Sequence, residues 1–247
     1  MSDKTGFEIA IIGMACRFPG SKNISEFWKN LCGGKELITH FTNEELLANG
    51  IDSEYLEDPN YVKSRGIIED ADKFDADFFG FYPKEVEMLD PQQRIFLECC
   101  WEAFEDSGYT PENYAGTVGV FGGVGMNTYI LQYLNSKKDL NVSAEGYQFS
   151  IGNEKDFLTT RVSYKLNLNG PSLDIQTACS TSLVATHIAC MNLLNYQCDL
   201  AIAGGSTISF PQENGYHYQE GMILSPDGHC RPFDNNAAGT VPSNGTG

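Results

Sequence analysis

Basic residues are scarce in this sequence: 16 Lys and Arg stand against 33 Asp and Glu, a formal charge of −17. Nucleic acids and anionic membranes are held by clustered Lys and Arg, so this balance argues against both as partners. No apolar run approaches membrane-spanning length, and the N-terminus lacks the apolar core of a signal peptide. These absences predict a cytoplasmic protein without a membrane anchor. The eight cysteines contain no C-x-x-C pair, and no Cys/His cluster has zinc spacing. Reduced thiols that pack as small hydrophobes are expected, and the spacing gives no basis for a metal site. Gly122–Gly125 invites comparison with a phosphate loop, but the G-x-G-x-x-G and G-K-[ST] patterns are both missing. Close backbone packing is the better role for it than nucleotide binding. No repeat of solenoid period and no low-complexity segment occurs. What remains, 41% hydrophobic and 20% charged over 247 residues, is ordinary for a globular protein with a sizeable core.

The stretch from Asp174 to Leu183 carries the chemistry. Asn169–Gly170–Pro171 is a turn, and Ser172 to Thr177 alternates like a strand. Leu183, His187, Ile188, Met191 and Leu194 then recur at helical spacing through to Tyr196. Cys179 therefore falls where a strand passes into a helix. A thiol there meets unpaired backbone N–H groups and the positive end of the helix dipole, which suit a nucleophilic sulfur. Ala178, Ser180, Thr181 and Ser182 are small enough to admit a carbonyl. This is the arrangement of a nucleophile elbow. Cys16 is a weaker candidate, because no helix start follows it.

Other elements follow from periodicity and punctuation. Glu8 to Met14 has the pattern of a buried strand. Ser25 is placed to cap a helix through Cys32 that ends at Gly33–Gly34, with Phe27 and Leu31 on one face. Thr42 and Glu45 have capping-box spacing for a short helix closed by Gly50. Ile51 to Phe81 is acidic and aromatic without sustained periodicity, as in a decorated surface excursion. Asp90–Pro91 opens a helix, ended by Gly108, that is apolar nearly all round and so should be buried. Thr117 to Val124 is a strand, Met126 to Leu134 is helical, and Ser136 to Gly146 is a polar loop. Asn153 to Leu166 is amphipathic, with Phe157, Leu158, Val162 and Leu166 as core candidates. Asp199 to Gly205 is a buried strand, and Gly221 to Asp234 is rich in turns.

Several of these stretches resemble β-ketoacyl synthases, specifically the ketosynthase domains of modular polyketide synthases. They are Ile9–Gly20 (I-A-I-I-G-M-A-C-R-F-P-G), Phe74–Gly80, Asp90–Arg94 with Trp101–Tyr109, the Cys179 segment and Gly221–Asp234. The resemblance covers nearly the whole chain. It implies a thiolase-like α/β fold with α-β-α-β-α layers, of which residues 1–247 would supply the N-terminal half, stopping before its last strands. Pro242–Ser243 departs from the family pattern, and Gly247 falls where an apolar strand is expected.

The same resemblance implies a chemistry. An acyl group would pass from the phosphopantetheine of an acyl carrier protein to Cys179. Decarboxylative Claisen condensation with a malonyl extender would follow, in polyketide biosynthesis. Cys179 would be the catalytic nucleophile and its backbone N–H an oxyanion donor. Met126, Met222, His229 and Phe233 would contact substrate. The chain itself would bind no cofactor, and it would form a homodimer through Gly170–Ile175. The family's two enolate-stabilising His lie in the other half, so this chain alone is expected not to condense. Of its own histidines, His40 and His217 lack supporting context, and His187 lies about 12 Å along the helix from Cys179. Only His229 could stand in. A non-catalytic acyl-binding or dimerisation scaffold is the alternative, and an intact Cys179 speaks against it. A Cys hydrolase ranks last, since it needs a downstream acid and His.

Overall fold

A computed structural model describes residues 6–131 and 144–247. In chain order the elements are α1 (Ile24–Cys32), β1 (Thr39–His40), α2 (Asn43–Ala48), α3 (Ser53–Glu57), β2 (Tyr61–Val62), β3 (Ser64–Arg65), α4 (Pro83–Met88) and α5 (Pro91–Asp106). Then come β4 (Val118–Val124), α6 (Ala144–Asn153), α7 (Leu158–Lys165), β5 (Ser172–Asp174), α8 (Thr181–Leu194), β6 (Leu200–Thr207), β7 (Tyr216–His217) and β8 (Gly245–Thr246). Two compact units result. One gathers the described residues of Met1–Cys16, Ala71–Thr207 and Thr246–Gly247, the other Arg17–Asp70 and Ile208–Gly245. No helix among the described residues is long and apolar enough to cross a membrane.

The first unit is built on a sheet of order β5-β4-β6-β8. β5 and β6 run parallel to β4, with Gly122 opposite Asp174 on one side and Gly204 on the other. Gly205 and Gly247 exchange both backbone hydrogen bonds, the antiparallel pattern, so the sheet is mixed. Every residue of β4 is buried, as a strand covered on both faces requires. Its side chains alternate. Val118, Val120 and Val124 pack with Phe96, Leu97, Phe104, Leu158 and Val162 of α5 and α7, while Phe121 packs with Ala185 and Ala189 of α8. A Cβ at Gly122 would stand 2.8 Å from the Phe96 ring, so only glycine lets α5 lie this close to the sheet.

Helix α5 forms as its sequence predicts. The Asp90 carboxylate accepts from the Gln92 N–H at 2.9 Å, Pro91 occupies the first turn, and Gly108 follows the end at φ 79°. Full burial of a Phe or Leu side chain contributes about 1.5–3 kcal/mol each, which makes this helix a principal anchor of the core. The capping box of α2 is also present, with Thr42 and Glu45 satisfying each other's backbone N–H.

Several expectations need correction. Glu8–Met14 forms no strand pairing among the described residues, and Ile11, Ile12 and Met14 are exposed. Gly13 instead packs on Ala103 and Ser107 at the end of α5, and the Asp106 carboxylate takes the Met14 N–H at 2.9 Å. Asn23, not Ser25, caps α1, and that helix turns Ile24, Phe27 and Asn30 inward while Leu31 faces solvent. Ile51–Phe81 is no plain excursion. It holds α3, β2 and β3, and Phe74, Phe79 and Phe81 stack into the core of the first unit. Leu158, Val162 and Leu166 are buried as expected, but Phe157 is not, because it lies before the first turn of α7. Helix starts only at Tyr129 after Met126, and β6 is half-buried over most of its length. Most of Ser136–Gly146 lies outside the described residues.

The second unit is mostly turns and short pairings. β1 pairs antiparallel with β3, placing His40 opposite Ser64, and β2 pairs antiparallel with β7. The buried Gln212 amide closes both backbone groups of Ile68 at 3.0 Å and accepts from Asn244 at 2.8 Å. Such buried amides replace the ladder bonds that short strands cannot supply.

Candidate active site

Cys179 lies between β5 and α8, on a 3₁₀ turn spanning Ala178–Ser180. The turn is sharp because Ala178 takes φ 53°, a left-handed conformation that costs a residue with a Cβ about 1–2 kcal/mol. Two hydroxyl groups hold it. Ser180 Oγ donates to the Thr177 carbonyl at 2.8 Å, and Thr181 Oγ1 donates to the Ala178 carbonyl at 2.8 Å while accepting from the Thr177 N–H at 3.0 Å. Ser180 and Thr181 thus lock the elbow through the backbone of Thr177 and Ala178; regarded only as small neighbours in the sequence, they conceal this role. The signal was their hydroxyl groups at a predicted helix start, where Ser and Thr bond local backbone. Cys179 itself is a free, exposed thiol.

The supports behind the turn are backbone approaches. A Cβ on Gly123 would collide with the Ile175 carbonyl oxygen and stand 2.6 Å from Thr181 Cγ2. Gly205 is less crowded, for a Cβ there would meet Ser182 Cβ at an ordinary 3.8 Å. Gly123 therefore lets the first turn of α8 settle on the end of β4, a close-packing role. Asp174, at the end of β5, accepts from Thr159 N at 3.3 Å and Thr159 Oγ1 at 3.1 Å, tying the strand to α7. Burial raises its carboxyl above the ordinary range, against the lowering effect of those two bonds.

Met126 follows the carboxyl end of β4 as Cys179 follows that of β5. This is the edge at which open parallel sheets bind ligands. Met126 is exposed, and the next residue, Asn127, is clasped by Asn153 through bonds of 3.0 and 3.1 Å. Met222, His229 and Phe233 belong to the second unit. Met222 and Phe233 are exposed there, Phe233 at φ 64°. His229 is engaged: its Nδ1 lies 2.8 Å from both carboxylate oxygens of Glu36, a partner that sequence spacing gave no means to find. Cys16 is buried and cannot meet a substrate. His187 is exposed on α8, and His217 sits 3.4 Å from Asp58 beside the rings of Tyr55 and Tyr61.

Known proteins resemble this chain over almost its whole length. A family model described as "Beta-ketoacyl synthase, N-terminal domain" matches residues 7–247. One subunit of the phenolphthiocerol/phthiocerol polyketide synthase of Mycobacterium tuberculosis is 48% identical over 245 residues, which are 97% of this chain and 16% of that protein. Polyketide synthase PksM of Bacillus subtilis is 40% identical over 257 residues, covering all of this chain and 6% of the relative. Among solved structures, ketosynthase twelve of the bacillaene polyketide synthase of Bacillus amyloliquefaciens superposes with a TM-score of 0.87 at 35% identity, over 96% of this chain and 41% of that one. The chain thus spans a minor part of each of these relatives, and its fold is the thiolase-like α/β fold of their ketosynthase domains. Its sheet, its elbow and these matches together place the chain in the beta-ketoacyl synthase family.

Proposed function

We propose that the chain carries the nucleophile of a polyketide-forming ketosynthase, acting in the cytoplasm on acyl groups borne by the phosphopantetheine of an acyl carrier protein. The observation that carries this reading is Cys179, free and exposed on a hydroxyl-locked elbow at the head of α8. In the first stage the Cys179 sulfur attacks the carrier thioester carbonyl. The oxyanion is met by backbone N–H, that of Cys179 among them. The carbon–sulfur bond to the carrier then breaks, and the pantetheine thiol leaves with the proton that Cys179 gives up. In the second stage malonyl-carrier protein loses carbon dioxide, and the resulting enolate carbon attacks the Cys179 thioester. The β-ketoacyl chain leaves on the carrier, and the Cys179 thiolate is restored.

Met126 in the first unit, and Met222 and Phe233 in the second, are each exposed apolar side chains, which supports acyl contact at each because covering apolar surface removes it from water. The condensing step is not assigned to His229, whose ring nitrogen is held by Glu36. Homodimerisation through Gly170–Ile175 is supported by the position of β5 at the sheet edge, three residues long and carrying an exposed Leu173. Eight free thiols suit a reducing compartment.

The test is acyl transfer from an acyl-carrier protein, followed by peptide mass mapping. Acylation at Cys179 that is lost in Cys179→Ser supports the reading. Acylation confined to other cysteines, or none with any acyl donor, contradicts it. Adding malonyl-carrier protein and following carbon dioxide separates acyl transfer from condensation.

A further inference from the structure

In the second unit, Glu36, His40 and His229 each offer one donor atom, and these atoms lie within 4.8 Å of one another. His40 comes from β1, Glu36 from the segment before it, and His229 from the turn-rich loop almost two hundred residues on. The two imidazole rings stand 5.1 Å apart, and His229 Nδ1 is 2.8 Å from the Glu36 carboxylate. The histidines are oriented from behind. Ser64, 3% exposed, shares a 2.8 Å hydrogen bond with His40 Nδ1, which leaves His40 Nε2 for a ligand. Asp227 takes the His229 backbone N–H at 3.2 Å and pairs with Arg231 at 2.9 Å, fixing the loop that presents the ring.

We propose that Glu36, His40 and His229 form a binding site for a divalent transition-metal ion of the zinc class. Two imidazoles with one carboxylate are a His₂Glu donor set, which leaves a coordination position open to water. Nitrogen donors favour zinc, cobalt, nickel or copper over the oxygen-seeking calcium and magnesium. Metal–ligand bonds of about 2.0–2.2 Å in a tetrahedral site put adjacent ligands roughly 3.3–3.6 Å apart. The Glu36–His229 pair, now at 2.8 Å, would open by roughly 0.5–0.8 Å to admit an ion, and a separation of 4.8 Å would close by roughly 1.2–1.5 Å, both through side-chain rotation. Glu36 and His40 are surface side chains, so that rotation disturbs no packing. A bound ion would tie the loop from Met222 to Phe233 to the β1 segment and stabilise this unit in proportion to its affinity. The site is independent of the thiol chemistry assigned to Cys179, so either assignment can fail without the other.

The experiment is titration of the purified protein with Co²⁺ under chelator competition, read by absorption, with Zn²⁺ competing for the same site. Stoichiometric Co²⁺ binding is expected, with visible ligand-field bands and no thiolate charge-transfer band. His40→Ala and His229→Ala should each weaken binding by about tenfold or more. Cys230→Ser and His217→Ala should leave it unchanged. Circular dichroism checks the fold, and Glu36→Gln, on an exposed side chain, gives the same test should His40→Ala lose structure. Absence of micromolar binding overturns the proposal. So does binding that survives both histidine variants, or a charge-transfer band that disappears in Cys230→Ser.

Discussion

Helices α5 and α8 are both apolar on nearly every side, but only α5 is covered on nearly every side. α5 buries Pro91 through Leu97 with Cys99, Cys100 and Phe104. α8 buries only Ala185 and Ala189, and leaves Leu183 73% and Met191 42% exposed. Apolar composition tells that a helix needs cover and not which side receives it. In α8 small residues, Ala185 and Ala189, pack on Phe121 of the sheet, and Thr181 comes down onto Gly123 to hold the elbow of Cys179. Leu183 and Met191 are turned to solvent, while Ile188 and Leu193 pack partly buried against the cluster of Phe121, Ala185, Ala189 and Cys198. One helix is spent on the core, the other on placing a thiol.

The contrast is broken most severely inside α5. Phe96→Ala should cost about 3–5 kcal/mol of unfolding free energy in denaturant melts, since the ring is 2% exposed and fills the space over Gly122. A loss below about 1 kcal/mol would mean that α5 is not a principal anchor of the core.

The cap of α5 makes the next largest effect, and it depends on pH. Burial raises the Asp90 carboxyl from 3.8 to about 6, and the Gln92 and Arg94 interactions only partly oppose that rise. A folded-state value above the unfolded one means that protonation favours the fold. The contribution is complete below the unfolded value and is lost as pH rises through about 6. Between pH 7 and pH 4 the wild type should therefore gain about 2 kcal/mol relative to Asp90→Asn, measured as the difference between their stability profiles. Parallel profiles would show that Asp90 does not titrate in this range.

In α8 the expected effects move from stability to reactivity. Thr181→Val keeps the shape but removes the hydroxyl that joins the Ala178 carbonyl and the Thr177 N–H, at a cost of about 1 kcal/mol. Acylation of Cys179 should slow by more than that loss of stability explains, and an unchanged rate would detach the hydroxyl lock from the thiol. The smallest effect is expected at Leu183. Leu183→Ala should stay within about 0.5 kcal/mol, because the side chain makes little buried contact.

Much of this was legible in the sequence, for reasons that differ by element. Asp90–Pro91 and Gly108 bracket α5 because caps and breakers act locally, and the turn at Cys179 was legible from a strand, small residues and a helix in succession. Leu183 and Met191 show the limit: spacing identifies a helical face without saying which face meets the sheet. Glu8–Met14 shows it again, since an apolar run becomes a strand only if a ladder partner lies beside it. Ala178 in the left-handed region and the meeting of Glu36 with His229 were not legible at all. The first is imposed by the packing of α8 on β4 and β6, and the second joins positions far apart in the chain.

Exposure by itself makes Cys32, Cys179 and Cys230 alike, since all three are free and open to solvent. The central claim is that the elbow distinguishes one of them. Timed alkylation of the folded protein at mildly acidic pH, resolved by peptide mass mapping, measures the three rates in one sample. Cys179 should react about tenfold faster or more than Cys32 and Cys230, with the advantage lost on unfolding. Equal rates in the folded protein, or a faster Cys32 or Cys230, would contradict it.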